Sequence, residues 1–117
     1  MLEKYTSELK KISMGILTYN SHRIKASKLE NKIDQLVSNP ENIIYLWRGS
    51  DNNYDGLVVL EKYDEECIVV KSITLRNNLK NTVGYNQVLN ELKEKIPDKQ
   101  IMGVEKLKDV FGSWKKI

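Results

Sequence analysis

Apolar residues recur at helical spacing in the first third of the chain and at strand spacing in its middle. In "SELKKISMGILTY" (7–19), Leu9, Ile12, Ile16 and Leu17 fall at helical spacing, with Ser7 placed to cap the start. "MLEKY" ahead of it predicts a short first strand. After the polar "NSHR", the segment "IKASKLENKIDQLV" (24–37) repeats the helical period through Ile24, Leu29, Ile33, Leu36 and Val37. Pro40 in "SNPEN" closes that helix, because proline does not fit a helix interior.

The period then changes. "IIYLWRG" (43–49), "GLVVLEKY" (56–63) and "CIVVKSITL" (67–75) are runs of apolar and β-branched residues that predict three strands. The connections "SDNNYD" and "DEE" are short and polar, so the three strands read as an antiparallel meander. A helix follows from Thr82 to Lys95 and ends at "IPDK". "QIMGV" (100–104) is a further short strand, and "EKLKDVFGSWKKI" (105–117) a last helix with Leu107, Val110 and Phe111 inward.

The expected order is β-α-α-β-β-β-α-β-α, an α+β (mixed α/β) layer protein. The crossover through helix 82–95 should be right-handed and make the strands on either side of it parallel. Simple alternation places Val70, Ser72 and Thr74 on one face of the third meander strand. Val69, Lys71, Ile73 and Leu75 then take the other.

Composition adds bounds. The chain has 117 residues, 40% hydrophobic and 30% charged, which fits one folded domain over 1–117. No apolar run reaches membrane-spanning length and no signal-cleavage pattern opens the chain, so the expected location is the cytoplasm. With one cysteine (Cys67) and one histidine (His22), an internal disulfide is excluded and a metal cluster lacks ligands.

The net charge of +3 is unevenly spread: residues 1–70 carry nine basic and eleven acidic side chains, and residues 71–117 carry ten and five. The second part suits an anionic partner, whether a phosphate-bearing cofactor or a nucleic acid, as well as a plain solvated surface. Tyr45, Trp47 and Tyr54 near Arg48 could stack on bases, but Asp51 and Asp55 surround that turn, so no nucleic-acid surface is expected. Tyr45 and Trp47 alternate on one strand and line either an acceptor pocket or the core, with Trp47 expected in the core.

The stretch "RNNLKNTVGYNQVLNELKEK" (76–95) joins a strand to a helix through a polar bend. Such a bend can hold phosphate on backbone N–H groups at the helix start. Together with "KISMGILTY" (11–19), "YLWRGSDNNYDGLVVLEK" (45–62) and "VVKSITLRNN" (69–78), the order of elements resembles the GNAT acyltransferase superfamily. Within it, the chain looks most like the small RibT family encoded with bacterial riboflavin-synthesis genes.

That resemblance implies an N-acetyltransferase that transfers acetyl from acetyl-coenzyme A to an amine of unknown identity. The cofactor would lie in a V-shaped opening between strands 67–75 and 99–103. The backbone of Ile73 and Leu75 would hold its pantetheine arm, and the bend that follows would hold its pyrophosphate. The family pattern there is Arg or Gln, two residues, Gly, one residue, then Gly or Ala.

Lys80 stands at the first position of that pattern, followed by Asn81 and Thr82, which can also cap the helix. Val83 stands where the first glycine belongs, Gly84 at the variable place, and Tyr85 where the second small residue belongs. Val83 adds a β-branched wall and Tyr85 a ring, and Lys80 can offset part of the loss as a mobile point charge.

The family's leaving-group acid is commonly a tyrosine of the last helix. Phe111 and Trp114 cannot fill that role, which leaves Tyr85, Tyr63 and Cys67. Glu61 and Glu105 are the candidate bases, and His22 falls where the acceptor region begins. A protein of this fold in which Tyr85 closes the cofactor slot, and which acts only by binding a ligand or partner, is the alternative.

Overall fold

Two separate cores form on the two faces of one sheet. The structure is a computed structural model and describes residues 1–19, 24–49 and 51–115. In order come β1 (Leu2–Lys4), α1 (Lys10–Leu17), α2 (Ala26–Ser38), β2 (Asn42–Arg48), β3 (Tyr54–Lys62), β4 (Cys67–Leu75), α3 (Thr82–Lys95), β5 (Gln100–Gly103) and α4 (Lys108–Lys115). Short 3-10 turns at Ser7–Leu9, Asn77–Leu79 and Glu105–Leu107 precede α1, α3 and α4. The strands lie in chain order, with β1 to β4 antiparallel and β4 and β5 parallel. This is the mixed α+β architecture expected.

Alternation along the strands sorts the cores. Ile44, Leu46, Leu57 and Val59 pack with Leu9, Ile16, Leu17, Leu29 and Ile33 of the α1–α2 side. Tyr45, Trp47, Val58 and Leu60 pack with Val88, Leu89 and Leu92 of α3, and Phe111 of α4 joins them. Trp47 is 1% exposed, which places it in the core, and its indole N–H donates to Glu91 Oε2 at 2.7 Å. In α2, Leu29 and Ile33 sit one turn apart on the inward face, as the helical period requires. Burying each such side chain contributes roughly 1.5–3 kcal/mol.

Two expectations need correction. Ser7 does not cap α1: it begins a 3-10 turn that Thr6 precedes, Leu9 takes the cap position of α1, and no side chain bonds at either place. Alternation does not run through β4. Val59 pairs with Ser72 while Leu60 pairs with Val70, so Lys71 is an extra residue opposite one step of β3. Such a bulge resets which way the following side chains point. Val70, Ile73 and Leu75 consequently share the α3–α4 core. Lys71, Ser72 and Thr74 line a cavity with Leu17 and Leu36 on the other face.

Candidate active site

The parallel ladder between β4 and β5 covers Cys67–Val70 and Gln100–Gly103 and ends there. The Val104 N–H donates to the Val70 carbonyl at 3.2 Å, and the chain then turns into the segment leading to α4. β4 runs on to Leu75. Its last five residues therefore have β3 on one side and no pairing with β5 on the other. The bulge at Lys71 begins where the ladder ends. Phe111 of α4 packs over Gly103, where a Cβ would collide with its ring.

Downstream, the chain passes from β4 to α3 through a tight, internally bonded bend. The Leu79 N–H donates to Arg76 O at 2.8 Å and the Lys80 N–H to Asn77 O at 3.3 Å. The Asn81 N–H donates to Leu79 O at 2.9 Å across Lys80, whose φ −83°, ψ 69° is that of an inverse γ-turn. Asn81 then caps α3, its Oδ1 accepting the Gly84 N–H at 2.9 Å. The Tyr85 N–H is already in the helix, bonded to Asn81 O at 3.0 Å. Among the described residues, Thr82 and Val83 keep the open N–H groups of the first turn.

This arrangement gives the residues of the family pattern individual places. Val83 is 75% exposed, so its side chain points to solvent and does not wall the bend. Gly84 is buried, and a Cβ on it would collide with the Leu79 carbonyl oxygen, so a side chain is excluded by the bend's own backbone. Tyr85 is half-buried and burial pushes its phenol up. Lys80, Asn81 and Thr82 are exposed. Ile73 and Leu75 are buried in the α3–α4 core, on the stretch of β4 that has left β5.

Two cavities lie on the two sides of the sheet, one lined by residues of this stretch and one between α3 and α4. A cleft of about 250 Å³ opens between the start of α3 and α4, with Asn81, Thr82, Tyr85 and Asn86 on one wall and Asp109, Val110 and Ser113 on the other. Asn86 is 9% exposed, and its Oδ1 takes no hydrogen bond. Sequence reasoning passed over Asn86, because an asparagine within a polar helix carries no mark of burial. On the opposite face, the cavity of about 200 Å³ lined by Lys71, Ser72 and Thr74 is partly covered by Leu17 of α1 and Lys32 and Leu36 of α2. Lys71 Nζ sits 3.3 Å from Glu61 Oε2 and 3.3 Å from Asn42 Oδ1. Glu61 is thereby tied to a residue that lines the cavity.

The remaining candidates fall elsewhere. Glu105 is 88% exposed and pairs with Lys108 on the surface at 3.6 Å. Tyr63 is 73% exposed. Cys67 lies opposite Gln100 at the start of β4, three residues, or roughly 10 Å, before the ladder ends. Phe111 is 6% exposed in the core, and the Trp114 indole donates to Asn90 Oδ1 at 2.8 Å. Tyr45 is a core residue with Lys95 Nζ 5.5 Å from its ring centre. Arg48 stacks 4.4 Å over Tyr54, donates to its hydroxyl at 2.5 Å, and pairs with Glu3 at 3.3 Å. His22 lies outside the described residues.

A second bulge, between β2 and β3, makes Asp55 the extra residue. Asp55 is 1% exposed and pairs with Arg76 at 3.0 Å, which ties the start of β3 to the end of β4. Burial is the largest influence on its carboxyl and pushes it up, against the Arg76 charge. No helix among the described residues is long and apolar enough to cross a membrane, and none of their His, Cys, Asp and Glu side chains form a metal-binding group.

No protein-family model matches the sequence, and no curated protein matches it. Solved structures do match the fold. A GNAT family acetyltransferase from Staphylococcus aureus superposes with a TM-score of 0.67 at 9% identity, over 88% of this chain and 83% of that one. A spermidine N-acetyltransferase SpeG chimera from Vibrio cholerae and hSSAT gives 0.69 at 10% identity, over 99% and 78%. An aminoglycoside 6'-N-acetyltransferase from Acinetobacter haemolyticus gives 0.63 at 8% identity, over 96% and 83%. The chain therefore has the fold of GNAT acetyltransferases.

Proposed function

We propose that this chain folds as one domain and acts in the cytoplasm as an N-acetyltransferase, passing an acetyl group from acetyl-coenzyme A to a small amine. The observation that carries the reading is the position of the two cavities. One is lined by Lys71, Ser72 and Thr74, on the stretch of β4 whose pairing with β5 has ended; the other lies between α3 and α4, the helices that cover the opposite face of the sheet. A donor entering from the α3–α4 face and an amine from the α1–α2 face would meet at that strand edge, which is what direct transfer needs.

The residues fit the cofactor unevenly. The open edge of β4 at Ile73 and Leu75 suits an amide-bearing arm, and the unpartnered Asn86 Oδ1 marks the α3–α4 cleft as a place for a polar ligand. Thr82 and Val83 offer two N–H groups to a phosphate, with Lys80 nearby in sequence as a cation. Asn81, Gly84 and Tyr85 shape that end rather than donate to it. Acetyl-coenzyme A would supply an acetyl thioester whose carbonyl carbon takes the amine and whose thiolate leaves. Glu61, held by Lys71, is the carboxylate we assign as base.

The solved neighbours named for spermidine and aminoglycosides make a small amine the acceptor class to try first. The resemblance to the RibT family adds a link to riboflavin synthesis without naming the amine.

One observation favours the second reading, a non-catalytic binding protein: most N–H groups of the bend are already bonded within the chain. Calorimetric titration with acetyl-coenzyme A, followed by assay for thiol release with an amine panel, separates the two. Saturable heat with thiol release supports the transferase. Heat without release, or no heat at millimolar ligand, contradicts the transferase and supports the non-catalytic protein.

A further inference from the structure

We infer that donor recognition in this chain rests on the amide-bearing pantetheine arm and not on the nucleotide diphosphate, with Asn86 as the side chain that reads the arm. The inference depends on the donor cleft proposed above.

Its first support is the count of donors at the bend. A diphosphate site works by aiming several backbone N–H groups at one anion. Here the N–H groups of Lys80, Asn81, Gly84 and Tyr85 are bonded inside the chain, two of them to groups of Asn81. The geometry is self-consistent: the γ-turn at Lys80 brings the Leu79 carbonyl over Gly84, and the Asn81 cap holds the helix start beneath it. Opening these bonds to a phosphate would cost the cap.

The second support is the chemistry of the cleft. Its walls carry a neutral amide (Asn86), hydroxyls (Thr82, Tyr85, Ser113) and the acidic Asp109. An acidic wall opposes a polyanion and is indifferent to a neutral amide chain. Asn86 is nine-tenths buried with an acceptor that nothing takes. A buried amide offers both donor and acceptor, and a secondary amide in the ligand answers both, whichever way the Asn86 amide is turned. Leaving it unmet is costly, so the site gains most from a ligand that carries amides.

The test compares two donors on the intact chain by calorimetry: S-acetyl-pantetheine, which lacks all phosphates, and acetyl-coenzyme A. The expected result is two dissociation constants within about tenfold. Acetyl-coenzyme A binding more than about 100-fold tighter would overturn the inference and leave the transferase reading standing. Failure of both donors to bind would remove the transferase reading and the inference with it. Asn86→Leu should weaken both donors by the same factor, about 3- to 10-fold. Unchanged binding of both in a variant with native circular dichroism would overturn the role of Asn86. The two-donor comparison on the unmodified chain stands even where that variant fails to fold.

Discussion

Val70 and Ile73, three residues apart in β4, face the same helices. Both belong to the α3–α4 core, at 0% and 6% exposure. In an uninterrupted strand they would point to opposite faces. The extra residue, Lys71, makes up the difference, and it sits at the row after which β5 no longer pairs with β4. One irregularity thus ends the simple alternation, turns Ser72 and Thr74 toward the α1–α2 cavity, and coincides with the open edge that the proposed cofactor needs.

That relationship predicts which side chains of β4 carry stability. Ile73→Ala should cost about 2–5 kcal/mol, as for a buried aliphatic side chain. Ser72→Ala, on a partly open cavity wall, should stay within ~0.5 kcal/mol. Denaturant unfolding of the two variants checks this. Equal effects would mean that the bulge does not set the faces.

Gly84 and Gly15 should respond oppositely to the same substitution. Gly15 lies in α1, and nothing stands within 4 Å of the place a Cβ would take, so Gly15→Ala should stabilise by about 0.5–1 kcal/mol. Gly84 is also helical, but a Cβ there meets the Leu79 carbonyl oxygen. Gly84→Ala should destabilise by roughly 1–3 kcal/mol despite its better helix propensity. Thermal unfolding reads both, and stabilisation by Gly84→Ala would show that the bend yields easily.

Much of the architecture is legible from composition and period, and the reasons are local. β4 ends where its β-branched run ends, and α3 begins at Thr82, just after Asn81, a strong capping residue. The face assignment within β4 failed because the bulge falls on Lys71, a residue type with no bulge signature. Val83 reads as an obstacle when a motif is laid over it, yet its position in the first turn of α3 sends it outward. The burial of Asn86 and Asp55 escaped notice because burial of a polar side chain depends on what packs over it, which no spacing rule records.

Asp55 should give stability a pH slope. Burial raises its carboxyl above the ordinary value, so the folded chain holds a proton that the unfolded chain has released. Folding is then favoured less as pH rises from ~pH 4 through the raised value. Asparagine has no such proton, so Asp55→Asn should flatten this slope. Denaturant midpoints for both proteins across that range test the point, and parallel curves would contradict it.

Lys80 is exposed and does not line the cleft, so its help to a phosphate should be modest. Lys80→Ala should weaken acetyl-coenzyme A binding about 2- to 5-fold at low salt, and less in high salt. Calorimetry at two ionic strengths measures this. A loss that is equal at both would point to a structural effect of the substitution.

The central claim is that acetyl-coenzyme A lies along the part of β4 that β5 has left. Residue-resolved amide hydrogen exchange, with and without saturating acetyl-coenzyme A, examines that edge directly. The account predicts slower exchange within residues 71–75 and in the first turn of α3. Unchanged rates there, or protection confined to other parts of the sheet, would contradict it.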